Sequence, residues 1–112
     1  MKIPFTTTDW NSMPATRHAG ETGFAIWKTL QYAGLRIRLV EYSSNYLADH
    51  WCEKGHVLFC IEGELLTELS SGEQFTLTKN MSYQVSDTLS SHRSSTKNGA
   101  TLFIVDGDFL SP

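Results

Sequence analysis

The stretch "ADHWCEKGHVLFCIEGEL", residues 48–65, contains three good metal ligands, His50, Cys52 and His56, and an apolar run follows them. Residues two apart on a strand point to the same side, so an extended segment would project His50 and Cys52 together. After a turn at Glu53–Gly55, His56 would begin a buried strand on the same face. The stretch therefore predicts a buried strand with three metal-binding side chains at its start.

Period-two alternation recurs along the rest of the chain. Leu35, Ile37 and Leu39 alternate with Arg36 and Arg38, and we expect the two arginines to face solvent. Further strands are predicted at 56–62, 65–69, 75–77, 82–87, 91–96 and 100–107, with a hairpin turn at 70–73. No segment has a convincing helical period. Many short strands separated by Gly, Ser, Asn and Asp indicate an all-β sandwich or barrel.

Length and composition limit the class of protein. The chain of 112 residues is long enough for one domain, and 40% hydrophobic with 19% charged residues is typical of a globular fold. No apolar run is long enough to cross a membrane, so we expect no membrane partner. We expect residues 1–20 to form an N-terminal arm or edge segment, and residues 21–112 to form the β domain.

Charge and cysteine content suggest partners and location. The net charge is −3 and the nine basic residues are scattered, which argues against a nucleic-acid partner. Residues 1–14 lack the unbroken apolar stretch of a signal peptide, so we expect a cytoplasmic location. Cys52 and Cys60 would lie roughly 26 Å apart on one extended segment, too far for a disulfide. We expect Cys60 to be a small buried residue and Cys52 to be free to bind metal or to react.

Two spacings in the sequence resemble the motifs of the cupins. His50-x-Cys52-x3-His56-x6-Gly63 is similar to the first motif, G-x5-H-x-H-x3/4-E-x6-G, with cysteine in place of the second histidine and histidine in place of the glutamate. The second motif, G-x5-P-x-G-x2-H-x3-N, retains only its histidine, as His92. The resemblance implies that His50, Cys52, His56 and His92 converge on one divalent transition-metal ion.

The amino-acid sequences of segments 48–56, 81–87, 91–96 and 102–109 also resemble those of the small bacterial cupin-fold proteins named for a DHCW motif. This resemblance covers nearly the whole chain and implies a single small cupin barrel over residues 21–112, a double-stranded β-helix or jelly roll. It implies no agreed activity, because that family is named for its fold. It also favours a homodimer, which would cover sheet edges and the apolar side chains of the N-terminal arm.

Two functional hypotheses follow from different classes. A metalloenzyme would need an open coordination position for a small molecule in the barrel, whereas four protein ligands would favour a binding or sensing module. A thiolate beside imidazoles favours zinc or nickel, with iron as the alternative. His18 and Glu21 could reach the barrel mouth, although an exposed loop pair is the simpler interpretation. Fold alone leaves the substrate and the reaction open.

Overall fold

The computed structural model describes residues 2–112, which form ten strands and two single-turn 3₁₀ helices. In chain order these elements are η1 (Trp10–Ser12), β1 (Thr16–Ala19), β2 (Phe24–Tyr32), β3 (Leu35–Tyr42), β4 (Tyr46–Leu47), β5 (His56–Gly63), β6 (Leu65–Leu69), β7 (Gln74–Leu77), β8 (Ser82–Val85), β9 (His92–Thr96), β10 (Ala100–Gly107) and η2 (Asp108–Leu110). The all-β prediction is confirmed.

The strands form two antiparallel sheets that are not closed into one continuous barrel. The six-stranded sheet has the order β1-β2-β3-β10-β5-β8, and the four-stranded sheet has the order β4-β9-β6-β7. Both sheets contribute to one apolar core, which consists of Ala25, Val40, Leu58, Cys60, Leu65, Leu77, Ala100, Leu102 and Ile104. Crossovers between the sheets give the jelly-roll arrangement that the sequence analysis predicts.

The predicted strands correspond to β3 and to β5–β10, and the predicted hairpin turn joins β6 to β7. Cys60 is fully buried, as predicted. No strand is predicted at β2, because its residues do not alternate cleanly between apolar and polar and most of them are half-buried. Alternation of apolar and polar residues therefore predicts strands with one buried and one exposed face, and it misses a strand such as β2, which is half-buried along most of its length.

A glycine marks the end of β5. Gly63 has a φ of +82°, and a Cβ at this position would collide with the backbone of Gly99. The register between β5 and β10 also shifts between Thr101 and Leu102. Gly63 therefore allows the start of β10 to approach the end of β5 closely. Its positive φ is also a backbone conformation that residues other than glycine rarely adopt.

The N-terminal segment lies along the six-stranded sheet. β1 pairs with β2 as an edge strand, and Trp10 packs edge-to-face on Phe103 with ring centroids 5.8 Å apart. The domain boundary at residue 20 stays a prediction. Residues 2–112 contain no helix with the length and hydrophobicity needed to span a membrane.

The predicted homodimer can be tested on the outer face of the six-stranded sheet. Val57 and Phe59 of β5 are each 40% exposed and pair in register with Val105 and Phe103 of β10. We expect a dimer mass in sedimentation equilibrium at micromolar concentration, and we expect Phe59→Glu to shift the protein to the monomer because a charge would enter an apolar interface. Phe75→Glu, a matched change on the four-stranded sheet, should leave the mass unchanged. A monomer mass for the wild type would refute the prediction.

Candidate metal centre

The backbone brings Cys52 and His92 opposite each other. The Cys52 N–H donates to the His92 carbonyl at 2.8 Å, and the His92 N–H donates to the Cys52 carbonyl at 2.9 Å. Directly opposed residues of an antiparallel pair extend their side chains on the same face, with Cα atoms about 5.5 Å apart. This isolated bridge therefore places the thiol of the loop before β5 beside the first imidazole of β9.

His56 completes the group from the start of β5. Along this strand His56, Leu58 and Cys60 are buried while the residues between them are exposed, as the alternation predicts. Cys52 Sγ lies 3.8 Å from His56 Nε2, and the ligand atoms of Cys52, His56 and His92 all lie within 4.8 Å of one another. Three of the four predicted ligands therefore converge.

Both histidines are held with the same ring nitrogen turned toward this group. His56 Nδ1 is 2.9 Å from Asp106 Oδ2, and His92 Nδ1 is 3.0 Å from the Ser90 carbonyl. Each oxygen can accept a hydrogen bond from an Nδ1–H, so an ion that displaces any proton on Nε2 would find a lone pair to bind. Within residues 2–112, His92 Nε2 is buried without a hydrogen-bond partner. A buried polar atom without a partner destabilises a fold by about 1–3 kcal/mol, so an ion at this point would satisfy it.

The separation of the Cys52 and His56 ligand atoms fits a tetrahedral ion. With a metal–sulfur distance of about 2.3 Å and a metal–nitrogen distance of about 2.05 Å, tetrahedral geometry separates the sulfur and nitrogen by about 3.6 Å. The observed separation of Cys52 Sγ and His56 Nε2 is 3.8 Å. A soft thiolate with two neutral imidazoles is also a donor set that borderline divalent ions prefer. The residues present therefore fit one transition-metal ion with a fourth position not supplied by this group.

The group lies at the wall of a cavity of about 360 Å³. Its lining is a mixture of aromatic, aliphatic, cationic and metal-binding side chains: Trp27, Arg36, Arg38, Tyr42, Tyr46, Ala48, His50, Cys52, Lys54, His56, Leu58, Tyr83, His92, Ser94 and Ile104. The three side chains of the group therefore border the space that a small molecule in the cavity would occupy.

Comparison with known proteins identifies the fold. Neither a protein-family model nor a curated protein matches the chain. Among solved structures, an RmlC-like cupin from Shewanella frigidimarina matches with a TM-score of 0.74 at 16% identity, over 96% of this chain and 94% of that chain. The chain has the cupin fold. The finer resemblance to DHCW-motif proteins stays a prediction.

Cupin-fold enzymes are among the structural neighbours. The polyketide cyclase RemF from Streptomyces resistomycificus matches with a TM-score of 0.75 at 15% identity, over 93% of this chain and 80% of that chain. A structure of Fe(II)-HppE matches with a TM-score of 0.72 at 14% identity, over 91% of this chain and 60% of that chain. At these identities the likeness concerns the fold alone.

His50 occupies the first ligand position of the cupin motif but lies outside the converging group. Its side chain is 71% exposed, and its Nδ1 lies 2.6 Å from Asp49 Oδ1. The chain bends at residues 49 and 50 rather than forming a strand, so the rule that residues two apart share a face does not apply there. His50 does line the cavity. Its role as a fourth ligand stays a prediction.

The other histidine considered, His18, lies on edge strand β1 and not in the group. Its ring stacks on Trp27 with centroids 3.8 Å apart, and its Nε2 is 2.8 Å from Thr16 Oγ1. Glu21 accepts a hydrogen bond from Arg93 at 3.1 Å. These contacts give both side chains structural partners of their own.

The structure corrects the expectation that Arg36 and Arg38 face solvent. Both point inward, where the buried Asp106 of β10 accepts hydrogen bonds from Arg36 Nε at 2.9 Å and from Arg38 Nη2 at 3.0 Å. Arg36 lies directly opposite Asp106 in the pairing of β3 with β10. The face of β3 that carries the two arginines is therefore turned toward the inside of the domain, where it meets a buried carboxylate.

Asp106 is the functional residue that the sequence analysis missed. Burial would raise the pKa of its carboxyl, but the hydrogen bond to His56 and the charges of Arg36 and Arg38 hold the pKa well below its usual range. It therefore stays ionised and fixes the His56 ring, as carboxylates behind metal-binding histidines do. An aspartate at the end of the apolar run "ATLFIV" was the available signal.

Cys52, His56 and Asp106 also have the order of a nucleophile, a base and an orienting acid. The Sγ–Nε2 separation of 3.8 Å is compatible with a hydrogen bond to sulfur and so with either arrangement. One observation favours a metal, because a thiolate nucleophile paired with His56 would leave the buried His92 Nε2 unexplained.

The thiol of Cys52 should ionise unusually easily in metal-free protein. Burial raises its pKa, but the imidazoles of His56 and His92 and the backbone of Lys54 lower it to about 5. We expect the rate of alkylation by iodoacetamide to be constant from about pH 8 to about pH 6 and to fall by half near pH 5, because only the thiolate reacts.

Cys60 serves as the internal control for this experiment, because burial raises the pKa of its thiol. Peptide mapping by mass spectrometry would assign the label to each cysteine. A half-maximal rate near pH 8.5, the ordinary cysteine pKa of about 8.5, would contradict the prediction for Cys52.

Proposed function

We propose that the protein is a metal-dependent cupin enzyme in which Cys52, His56 and His92 bind one divalent transition-metal ion and a small molecule enters the cavity beside it. The observation that carries the proposal is the buried, unpartnered His92 Nε2 facing a thiol and a second imidazole. The Cys52 and His56 side chains are already within 0.2 Å of a tetrahedral separation, taking about 3.6 Å as ideal against 3.8 Å observed.

Each surrounding residue has a part in this proposal. Asp106 orients His56 and keeps its Nδ1 protonated, while the Ser90 carbonyl does the same for His92. Arg36 and Arg38 keep Asp106 ionised in a buried position. When bound, a divalent ion with an open position supplies Lewis acidity toward an oxygen of a small molecule.

The donor set favours zinc or nickel. One thiolate and two imidazoles suit borderline ions, whereas a carboxylate in the set would favour iron or manganese. Iron remains the alternative, since a structural neighbour of the same fold, HppE, was solved with Fe(II).

Metal analysis of protein purified without a histidine tag tests the proposal. We expect close to one equivalent of metal per chain, and X-ray absorption should give one sulfur at about 2.3 Å and two nitrogens at about 2.0–2.1 Å for zinc. Protein stripped with a chelator and reloaded with zinc, nickel or iron would rank the three ions. Absence of sulfur from the coordination shell, or failure to bind any of the three ions, would refute it.

A binding or sensing module is the second candidate, and His50 is the observation that favours it. The imidazole lines the cavity two residues before Cys52, so rotation of the exposed bend could bring it to the fourth position. A site closed by four protein ligands leaves no position for a substrate. Three nitrogens in the X-ray absorption shell of the resting protein, reduced to two in His50→Ala, would favour this candidate.

A further inference from the structure

Arg38 is a buried cation whose hydrogen-bonding capacity is only partly used. It is 5% exposed and lines the cavity beside the metal-binding group. Its Nη2 donates to Asp106 at 3.0 Å, but its Nε has no hydrogen-bond partner within residues 2–112. Burying a cation with unmet donors is unfavourable, so its position is best explained by a ligand that supplies acceptors.

Arg36 provides the contrast. Its Nε and Nη2 both donate to Asp106, at 2.9 and 3.0 Å. Arg36 therefore forms the two-pronged pair with the carboxylate, and Arg38 shares only the second oxygen. Of the two arginines, Arg38 is the one with donors left for another molecule.

The charge of the cavity favours an anion. Arg36, Arg38 and Lys54 line it, and none of its lining residues within 2–112 is acidic. Asp106 behind the wall offsets one of these three positive charges, and a divalent ion would more than offset the thiolate of Cys52. An anionic ligand would therefore be attracted both to the cavity and to the metal-loaded site.

The remaining lining is aromatic and aliphatic. Trp27 already has His18 stacked on its ring and the Arg38 guanidinium 4.4 Å from the ring centroid, and Tyr42 stacks on Tyr46 with ring centroids 4.1 Å apart. Ala48, Leu58 and Ile104 add aliphatic side chains to the lining. At about 360 Å³ the space is near the lower end of ligand cavities, which limits the ligand to a small molecule.

We propose that the cavity takes a small monocarboxylic acid, whose carboxylate is bound by Arg38 while the rest of the molecule lies against the apolar part of the lining. The planar guanidinium matches the geometry of a carboxylate. This inference rests on the proposed function for the role of the neighbouring metal, but binding of the carboxylate depends on Arg38 itself.

Benzoate and its neutral isostere benzamide are the probes, with calorimetric titration of metal-free and zinc-loaded protein. Wild-type protein should bind benzoate at least tenfold more tightly than benzamide in both forms. Arg38→Met should reduce benzoate affinity at least tenfold in both forms, while Arg17→Met, on the exposed edge strand β1 and not in the cavity lining, should reduce it less than threefold. Circular dichroism verifies that each variant is folded, and the comparison of the two probes on wild-type protein needs no variant.

Equal affinity of the wild type for the two probes would overturn the inference. So would equal losses in Arg38→Met and Arg17→Met, which would indicate a general effect of positive charge. Benzoate binding only to zinc-loaded protein, unchanged by Arg38→Met, would place the carboxylate on the metal and also overturn it. Failure to bind zinc, nickel and iron alike would instead refute the proposed function, and the metal-free titrations would still decide the role of Arg38.

Discussion

Replacing Cys52 with serine is expected to lower zinc affinity at least about 100-fold, the upper end of what loss of an outer partner of a metal ligand causes. Serine keeps nearly the size of cysteine but offers a neutral hydroxyl, a much poorer donor than a thiolate. Competition with a chromophoric chelator at fixed pH would measure the affinity. The fold should persist, because Cys52 lies in the loop before β5 and not among the buried core residues.

Cys52→His distinguishes loss of a donor from damage to the site. An imidazole at this position restores a nitrogen donor and brings the set closer to the cupin motif, so zinc affinity should recover by at least tenfold over Cys52→Ser. His50→Ala is the matched control, since His50 lies outside the converging group and is exposed. We expect a change of less than threefold for His50→Ala.

The contrary result has a definite meaning. If Cys52→Ser retained full zinc affinity while His50→Ala lost it, the ligands would be His50, His56 and His92, and the bend at residue 50 would have to rearrange on binding. Thiol labelling separates the two cases as well, because a ligating thiolate should be protected by zinc and a free one should not.

The positions of most strands followed from the sequence because alternation of apolar and polar residues is a local signal, although in β3 it did not tell which face is buried. In β5, alternate residues are buried from His56 to Cys60, and a period of two is visible without any knowledge of neighbouring strands. The same reasoning placed His56 and Cys52 near each other, because a short turn joins them. The pairing of Cys52 with His92 was suggested only by the cupin motifs, since 40 residues separate them in the chain.

The charged cluster behind the site could not be read in this way. Asp106 accepts hydrogen bonds from Arg36 and Arg38 across sequence separations of 70 and 68 residues. An inward-pointing arginine can be predicted only when its buried partner is known. Solvent exposure is a sound expectation for an isolated arginine on a strand. A tertiary contact overrode it here, and the same contact fixed the orientation of His56.

The bend that carries His50 is the converse case. The expectation that His50 and Cys52 share a face requires an extended backbone, but only Cys52 makes a β-bridge. Asp49 binds the His50 ring locally at 2.6 Å, and short-range side-chain pairs of this kind compete with regular strand geometry. Ligand type and spacing therefore indicated the neighbourhood of the site, whereas backbone pairing determined which side chains enter it.

Replacing Asp106 with asparagine is expected to reduce the free energy of unfolding by about 3–5 kcal/mol, because it leaves the buried Arg38 and the partly buried Arg36 without their counter-charge. The Asp106 side chain is 1% exposed and that of Arg38 is 6% exposed, so water cannot compensate. Asparagine keeps the shape of the side chain, which isolates the effect of charge. Urea unfolding at pH 7 measures the change, since the pKa of Asp106 lies well below its usual range and the wild-type carboxylate is fully ionised there.

Asp49→Asn is the matched control, because Asp49 is 60% exposed and contacts only its neighbour His50 among the ion pairs of residues 2–112. It should change the free energy of unfolding by no more than about 0.5 kcal/mol. In folded Asp106→Asn, zinc affinity should also fall about 10–100-fold, since His56 loses the carboxylate that orients it and raises its basicity. Equal stability of Asp106→Asn and the wild type would mean that Arg36 and Arg38 find other partners, and the account of the buried cluster would be wrong. Lost stability with unchanged zinc affinity would confine Asp106 to the fold and remove it from the metal site.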